Sequence, residues 1–195
     1  SARYNPEPPI THHWFDSTHI TYGVLTAGYA APKWQIEASA FRGREPDERR
    51  WNIETPKLDS WSVRGTLNPS PRWALQASYA KIKQPEATHP GEDERRFTLS
   101  AHYANLRGFS AMAAYSAKNR QPGPTLSAWL AEANWDLDGA NTLFGRFENV
   151  ANDELFPDHH DPLHDVKFRV SRFQLGYARR IRLEPFELAL GGSAN

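Results

Sequence analysis

The feature that most limits how this chain can fold is a two-residue alternation of apolar and polar side chains, repeated along its whole length. In residues 73–79, Trp73 and Tyr79 share one parity and Gln76 and Ser78 the other. A period of two places alternate side chains on opposite faces of an extended strand. The alternation is strong in residues 61–67, 73–79, 97–103, 109–116 and 129–136, and weaker in residues 18–30, 33–42, 142–150, 166–179 and 186–194. The pattern predicts an all-β chain of ten strands, with a bulge near Ser171–Arg172 where the alternation changes phase.

The connections between these segments predict how the strands are joined. Short turns are expected at Ala31–Pro32, Asn68–Arg72, Asn105–Gly108, Leu137–Asn141 and Arg180–Pro185. Longer polar connections are expected between them, at Gly43–Lys57, Gln84–Glu94, Asn119–Pro124 and Ala151–Asp165. Strict alternation of short and long connections, with every proline outside the strands, favours an antiparallel up-and-down transmembrane β-barrel with periplasmic turns and external loops. A soluble β-barrel or sandwich that serves as a binding module is the alternative.

Aromatic residues mark both ends of the predicted strands. The short-turn ends carry Tyr29, Trp34, Trp73, Tyr103, Phe109, Trp135, Tyr177 and Phe186. The opposite ends carry Tyr22, Phe41, Trp61, Tyr79, Phe97, Tyr115 and Trp129. Two aromatic girdles around a band of small aliphatic residues are typical of a lipid-facing surface. We therefore expect a bacterial outer-membrane location, with the lipid bilayer and lipopolysaccharide as partners.

Composition excludes several other classes of protein. Among 195 residues, 23 Lys and Arg balance 23 Asp and Glu, so the chain lacks the basic surplus of a nucleic-acid-binding protein. The absence of cysteine excludes disulfide scaffolds, thiolate zinc sites and thiol catalysis. No apolar run approaches the ~18–20 residues that a membrane-spanning helix needs.

The two ends of the chain suggest its place in a barrel. Residues 1–17 are predicted to form an external loop or N-terminal extension, and residues 18–195 the β-barrel meander. If the long connections are external, the order of the strands places both ends of the chain on the external side, whereas a complete bacterial barrel keeps both ends in the periplasm. This predicts a fragment of a larger barrel. A ten-stranded barrel with an unusual orientation or closure is the alternative.

Four short sequences resemble a known group of proteins. They are residues 12–20 (HHWFDSTHI), 43–48 (GREPDE), 68–76 (NPSPRWALQ) and 153–156 (DELF). Together they resemble a group of uncharacterised proteobacterial outer-membrane β-barrel proteins, over most of this chain. Because members extend further at both ends, the resemblance implies that the chain corresponds to the C-terminal part of a longer member. It implies no activity and no catalytic residue.

The polar strand faces supply candidate pore residues. Because Arg at the bilayer midplane costs ~2–4 kcal/mol, charges at mid-strand are expected to face the lumen. The candidate lumen-lining residues are Arg64, Gln76, Ser100, His102, Glu132, Asn134, Arg146 and Glu148, with Glu37, Arg169 and Arg172 as further candidates. They predict a passive porin-like or channel role for small polar solutes or ions, with unknown oligomeric state. An internal network of Arg–Glu pairs that plugs a narrow barrel is the alternative.

Histidines in predicted external loops give a second hypothesis, a metal- or ligand-binding surface protein. His159, His160 and His164 lie among aspartates, and imidazole with carboxylate suits Zn, Cu or Ni. A second group comprises His12, His13 and His19. The alternative is that these are solvated loop histidines, and no other cofactor is expected.

Catalysis is not expected from this sequence. Ser100 and His102 share a strand face, but alternate residues of a strand lie ~6–7 Å apart, too far for a direct Ser–His hydrogen bond. The sequence also lacks the Gly-x-Ser-x-Gly turn that presents a nucleophilic serine. We therefore predict that the protein is not an enzyme.

Overall fold

The computed structural model describes residues 5, 7–15, 21, 23–46, 57–86, 90–105, 107–153, 155–156, 158, 160–164 and 166–195. A short helix, α1 (His12–Phe15), precedes ten strands. These are β1 (Val24–Ala31), β2 (Trp34–Phe41), β3 (Ser60–Ser70), β4 (Trp73–Ile82), β5 (Asp93–Ala104), β6 (Phe109–Gln121), β7 (Thr125–Asp136), β8 (Asn141–Asn152), β9 (Phe168–Leu183) and β10 (Phe186–Ala194).

The strands form one 10-stranded sheet in which every strand pairs with its neighbours in sequence. Each pairing is antiparallel, and the sheet order runs from β1 to β10 without a crossover. Within the described residues no ladder joins β1 to β10, so these strands are the sheet's two edges. The prediction of an all-β, antiparallel up-and-down fold with ten strands is confirmed. No helix among the described residues has the length and apolarity needed to cross a membrane.

The ladder registers divide the side chains into two faces. We call the face that carries Trp73 and Tyr103 the outer face, and the face that carries Glu132 and Arg146 the inner face. Trp73 pairs with Tyr103 across β4 and β5, and Glu132 pairs with Arg146 across β7 and β8. Because the period of a strand is two, each register places all residues of one parity on one face.

The outer face carries the predicted short-turn girdle. All eight of its aromatic residues lie on this face by register. The ring centres of Tyr29 and Trp34 are 5.4 Å apart, and those of Trp73 and Tyr103 are 4.9 Å apart. Trp135 is 53% exposed even though it is among the largest apolar side chains of the molecule. A continuous exposed apolar surface of this kind is rare on a soluble monomer and marks an interaction surface.

The opposite girdle is present with one correction. Trp61, Tyr79, Phe97, Tyr115 and Trp129 lie on the outer face, where the Tyr115 and Trp129 rings are 4.6 Å apart. The prediction for Phe41 is wrong, because this side chain is 5% exposed and lines a cavity on the inner face. Its parity is opposite to that of Trp34 at the start of the same strand. Tyr22 lies outside the described residues.

The bulge predicted near Ser171–Arg172 is also wrong. The β8–β9 register is continuous from Asn141 opposite Arg179 to Asn152 opposite Phe168. Val170 is apolar yet faces inward, against a small core formed by Trp14, Leu126, Ala128, Val150 and Ala151. The apparent change of phase therefore reflects an apolar patch on the inner face and not an extra residue. The irregularity in the ladders lies in β3, between Leu67 and Ser70.

Two predictions about the connections need correction. Pro69 lies inside β3, at the register shift, where ladder bonding is already interrupted and proline is tolerated. The connection expected to be long at Asn119–Pro124 shrinks to residues 122–124, because β6 and β7 continue further than predicted. Connections at 42–59, 83–92 and 153–167 stay long, so the alternation of short and long holds with this exception.

Candidate functional site: the inner face

The eight predicted lumen-lining residues all lie on the inner face. Registers link Gln76 to Ser100 across β4 and β5, and Glu132 to Arg146 across β7 and β8. Glu132, Asn134, Arg146 and Glu148 are buried, Gln76 and Ser100 are half-buried, and Arg64 and His102 are exposed. The inner face therefore has a closed half and an open half. The role of these residues as a pore lining stays a prediction.

Of the further candidates, two lie inside and one does not. Glu37 and Arg172 are on the inner face, where Glu37 accepts two hydrogen bonds from Arg64. Arg169 is on the outer face, where its guanidinium donates to Ser127 and, at 2.8 Å, to Asn149. The prediction of Arg169 as a lumen residue is therefore wrong. Arg169 lies near the loop end of its strand, where a long charged side chain can reach the polar zone beyond an apolar band.

A buried ion pair occupies the middle of the closed half. The Arg146 side chain donates through Nε to Glu132 at 2.7 Å, and its Nη2 lies 2.6 Å from the same carboxylate oxygen. The two side chains are 5% and 3% exposed. Arg146 Nη1 also donates to the backbone carbonyl of Glu7, at 2.8 Å. The charges are therefore compensated locally, as a buried guanidinium requires.

The closed half is covered by an N-terminal strap, which we define as the described residues 5 and 7–15. Asn5 donates to Gln174 of β9 at 2.6 Å, and Thr11 donates through both its amide and its hydroxyl to Glu148 of β8. Ser116 of β6 donates to the carbonyl of Trp14. These contacts lay the strap across the inner face from β9 to β6.

The strap is also held by charge and by apolar packing. Glu7 forms an ion pair with Arg172, and Asn195 donates to Glu7 at 3.0 Å. Trp14 is 5% exposed and packs in the small core beneath the strap, with the Lys118 ammonium 6.0 Å from its ring centre. The sequence does not predict this internal position, because the segment has no strand alternation. Its one hint is the apolar pair Trp14-Phe15 in a polar stretch.

A second group of charges lies toward the loop ends of β5 and β6. Arg96 donates to Glu94 at 2.6 Å, and Lys118 lies 3.8 Å from Glu94 and also contacts Glu86. Arg120 contacts Asp153 and lies 3.4 Å from Glu92. These residues lie beyond the predicted segments 97–103 and 109–116, because β5 begins earlier and β6 ends later than the strong alternation does. Extending the alternation of β5 and β6 toward their loop ends places Arg96, Lys118 and Arg120 on the inner face.

The open half is the inner face of β1–β5, where hydroxyl-bearing residues lie among charged and apolar side chains such as Arg64 and Phe41. A cavity of about 430 Å³ lies against Thr26, Ser39, Ser62, Ser78 and Thr98. Thr26 and Ser39 share a hydrogen bond of 2.8 Å. A second cavity of about 460 Å³ lies nearer the short turns and includes His102, Met112 and Glu132. These two spaces are where a solute has room on the inner face.

The predicted histidine sites are only partly described. The His164 ring nitrogen lies 2.8 Å from the Phe156 carbonyl, and the amide of His160 donates to Asp158 at 2.9 Å. Similarly, the His12 ring lies 2.9 Å from the Pro9 carbonyl. Within the described part of the chain no three His, Asp or Glu side chains are placed to hold a metal ion. His159 and His19 lie outside the described residues, so the metal hypothesis stays a prediction.

Comparison with known proteins gives one informative likeness. No protein-family model and no curated protein sequence matches the chain. Among solved structures, the fold is similar to that of an anion-selective porin from Comamonas acidovorans, with a TM-score of 0.52 and 12% sequence identity. The fold is porin-like. The likeness covers 80% of this chain and 43% of the porin, so the chain spans less than half of that porin's length.

Proposed function

We propose that this chain forms the wall of a porin-like channel in a bacterial outer membrane, through which small polar solutes or ions pass without chemistry. The observation that carries the proposal is the contrast between the two faces of a porin-like sheet. The outer face exposes aromatic and aliphatic side chains such as Trp129 and Leu99, whereas the inner face holds charged and hydroxyl groups. We also propose that the chain belongs with the uncharacterised proteobacterial outer-membrane barrels that it resembles.

The outer face supports a lipid environment. At mid-strand it exposes Leu99, Phe147 and Phe173, and toward the strand ends it exposes aromatic rings. Exposing this much apolar surface to water is unfavourable, at about 25 cal/mol per Å². In a bilayer the same surface is matched to the hydrocarbon, with aromatic rings at the interfaces.

The inner face supports passage through part of the barrel and not through all of it. The strap and the Glu132–Arg146 pair fill much of the β6–β9 half, as expected for a plugged barrel, and the cavity near the short turns still reaches Glu132. The β1–β5 half keeps a cavity of about 430 Å³ whose walls combine hydroxyl, charged and apolar side chains. A partly filled lumen favours a narrow channel over the fully plugged alternative.

Conductance across a planar bilayer tests the proposal. The chain is refolded in detergent, checked for β structure by circular dichroism and added to a bilayer under an applied voltage. We expect discrete current steps of uniform size, because passage through a fixed polar lumen gives a defined conductance. A folded, membrane-inserted chain that gives no current steps at any voltage would contradict a channel function and favour a structural barrel.

A further inference from the structure

We infer that solutes pass along the β1–β5 half of the inner face and that this path selects uncharged, hydroxyl-bearing solutes over anions. The inference rests on the proposed channel function and names its solute class. It depends on three observations: where the strap lies, which groups line the remaining space, and how the charges on the inner face are paired.

The strap leaves one half of the inner face accessible. Its hydrogen bonds reach Gln174, Glu148 and Ser116, which belong to β9, β8 and β6. Its last residue, Phe15, lies at the border of the β1–β5 cavity. The strap therefore occupies part of the inner face of β6–β9, and a solute meets mainly the surface of β1–β5. Nearer the short turns, the second cavity also reaches Met112 of β6 and Glu132 of β7.

The lining of that surface suits hydroxylated solutes. Thr26 and Ser39 are hydrogen-bonded at 2.8 Å, and Ser39 is opposite Ser62 in the next ladder. On the other side of the cavity, Ser78 and Thr98 are hydrogen-bonded at 2.5 Å. Each hydroxyl both donates and accepts, so such a surface can replace the water around a sugar or polyol at little cost.

Charge pairing argues against selection of anions. Arg64 lies 2.6 Å from Glu37, and Arg96 lies 2.6 Å from Glu94. Anion-selective pores use Arg or Lys rings whose charge is available to the passing ion. Here each guanidinium beside the cavity is paired with a carboxylate, so its field over the cavity is largely cancelled.

The same pairing continues on the closed half. Lys118 contacts Glu86, Arg120 contacts Asp153, and Arg180 lies 2.9 Å from Asp136. The described inner face therefore carries no surplus of positive charge along its length. This arrangement differs from the anion selectivity that the name of the similar porin states.

Two measurements on the refolded chain test the inference. The first is the reversal potential across a bilayer under a KCl gradient, and the second is the swelling of liposomes in L-arabinose. We expect a Cl⁻ to K⁺ permeability ratio within about twofold of unity, and arabinose uptake faster than that of gluconate, an anion of similar size. A Cl⁻ preference of about tenfold or more would overturn the inference and leave the channel function standing. Absence of both current and swelling would overturn both.

Substitutions at the exposed pair sharpen the test. Glu37→Gln leaves the Arg64 charge without its carboxylate partner and is expected to shift the permeability ratio toward Cl⁻. Arg64→Gln is expected to shift the ratio toward K⁺. The double substitution removes both charges and is expected to restore the original ratio. Asp138→Asn is the matched control, because it also removes a carboxylate but lies in the turn between β7 and β8. If both single variants keep the original ratio, solutes do not pass beside this pair.

Discussion

At the scale of single residues, burial determines what an inward-facing ion pair contributes. The Glu132–Arg146 pair is almost fully buried, whereas in the Glu37–Arg64 pair the Arg64 side chain is 48% exposed. Removing one partner of a buried pair leaves a charge that water cannot solvate. Removing one partner of an exposed pair leaves a charge that water reaches at once.

The first prediction compares these two pairs. Glu132→Gln is expected to lower the free energy of unfolding by about 3 kcal/mol, because Arg146 stays buried without a counter-charge. Glu37→Gln, the matched control, is expected to change it by less than about 1 kcal/mol. Guanidinium titration of the chain in detergent, followed by tryptophan fluorescence, measures both. Equal losses in the two variants would show that water reaches both halves of the inner face alike.

The second prediction uses two adjacent residues that point in opposite directions. Leu99 and Ser100 lie in the middle of β5, and Leu99 is 50% exposed on the outer face. In a bilayer, Leu99→Arg is expected to cost about 2–4 kcal/mol of folding free energy, whereas Ser100→Arg should cost less than about 1 kcal/mol. Folding into lipid vesicles, titrated with guanidinium, gives both values. A larger cost for Ser100→Arg would mean that the lipid-facing side has been assigned to the wrong face.

At the scale of the elements, the alternation of side chains predicts strands well where one face of the strand is apolar throughout and the other is polar throughout. The five strongly alternating segments, such as 97–103, all lie inside observed strands. The predictions that failed lie where an inner-face position is apolar. Phe41 and Val170 are apolar, yet both face inward, because the cavity wall at Phe41 and the small core at Val170 contain apolar side chains. Alternation alone does not show whether an apolar side chain faces lipid or an internal apolar core.

The strap could not be predicted from its own sequence, because its position depends on distant partners. Thr11 contacts Glu148 and Asn5 contacts Gln174, at separations of 137 and 169 residues. No local pattern encodes contacts over such distances. The polar inner residues of β8 and β9 give a partial signal, since buried groups such as Glu148 and Gln174 need partners that the neighbouring strands do not provide.

The third prediction concerns the strap. A chain that lacks residues 1–15 is expected to conduct about twice the current of the intact chain, because conductance follows the open cross-section and the strap fills about half of the inner face. Thr11→Ser keeps the hydroxyl that donates to Glu148 and is expected to conduct normally. Single-channel recording in a planar bilayer compares the three. An unchanged current without residues 1–15 would place the strap outside the path.

The fourth prediction concerns the turn between β7 and β8. Asp138 accepts hydrogen bonds from the side chain and amide of Asn141 and from the amide of Ala140. These bonds lower the pKa of Asp138 below its ordinary value of 3.8. The carboxylate therefore stabilises the turn fully above pH 3.8, and this contribution is lost as the pH falls through the lowered pKa.

Comparison with Asp138→Asn isolates this effect from the other carboxylates. Guanidinium titrations at several pH values should find the intact chain more stable than the variant at neutral pH, with the difference shrinking as the pH falls below 3.8. A difference that stays constant down to the lowest pH would show that the charge of Asp138 does not support the turn.

At the scale of the whole molecule, the sequence and the structure agree on the face that carries most of the large apolar side chains. The predicted girdle residues form an outer face with exposed rings such as Trp34 and Phe186. The buried apolar residues are few and lie mostly beneath the strap, around Trp14 and Leu126. A soluble β-sandwich concentrates its large apolar side chains between its sheets. This chain places most of them on the side away from its interior.

The last prediction follows from that distribution. Dilution of the urea-denatured chain into detergent is expected to give a β-rich species whose gel mobility changes on heating, because micelles cover the outer face and allow the ladders to form. Dilution into plain buffer should give aggregates, since exposed residues such as Trp73, Phe147 and Leu190 then meet water. Far-UV circular dichroism and paired heated and unheated gels measure both conditions. A monodisperse β protein in plain buffer would show that the outer face is covered by protein, and the search for function would then move to a soluble binding cavity.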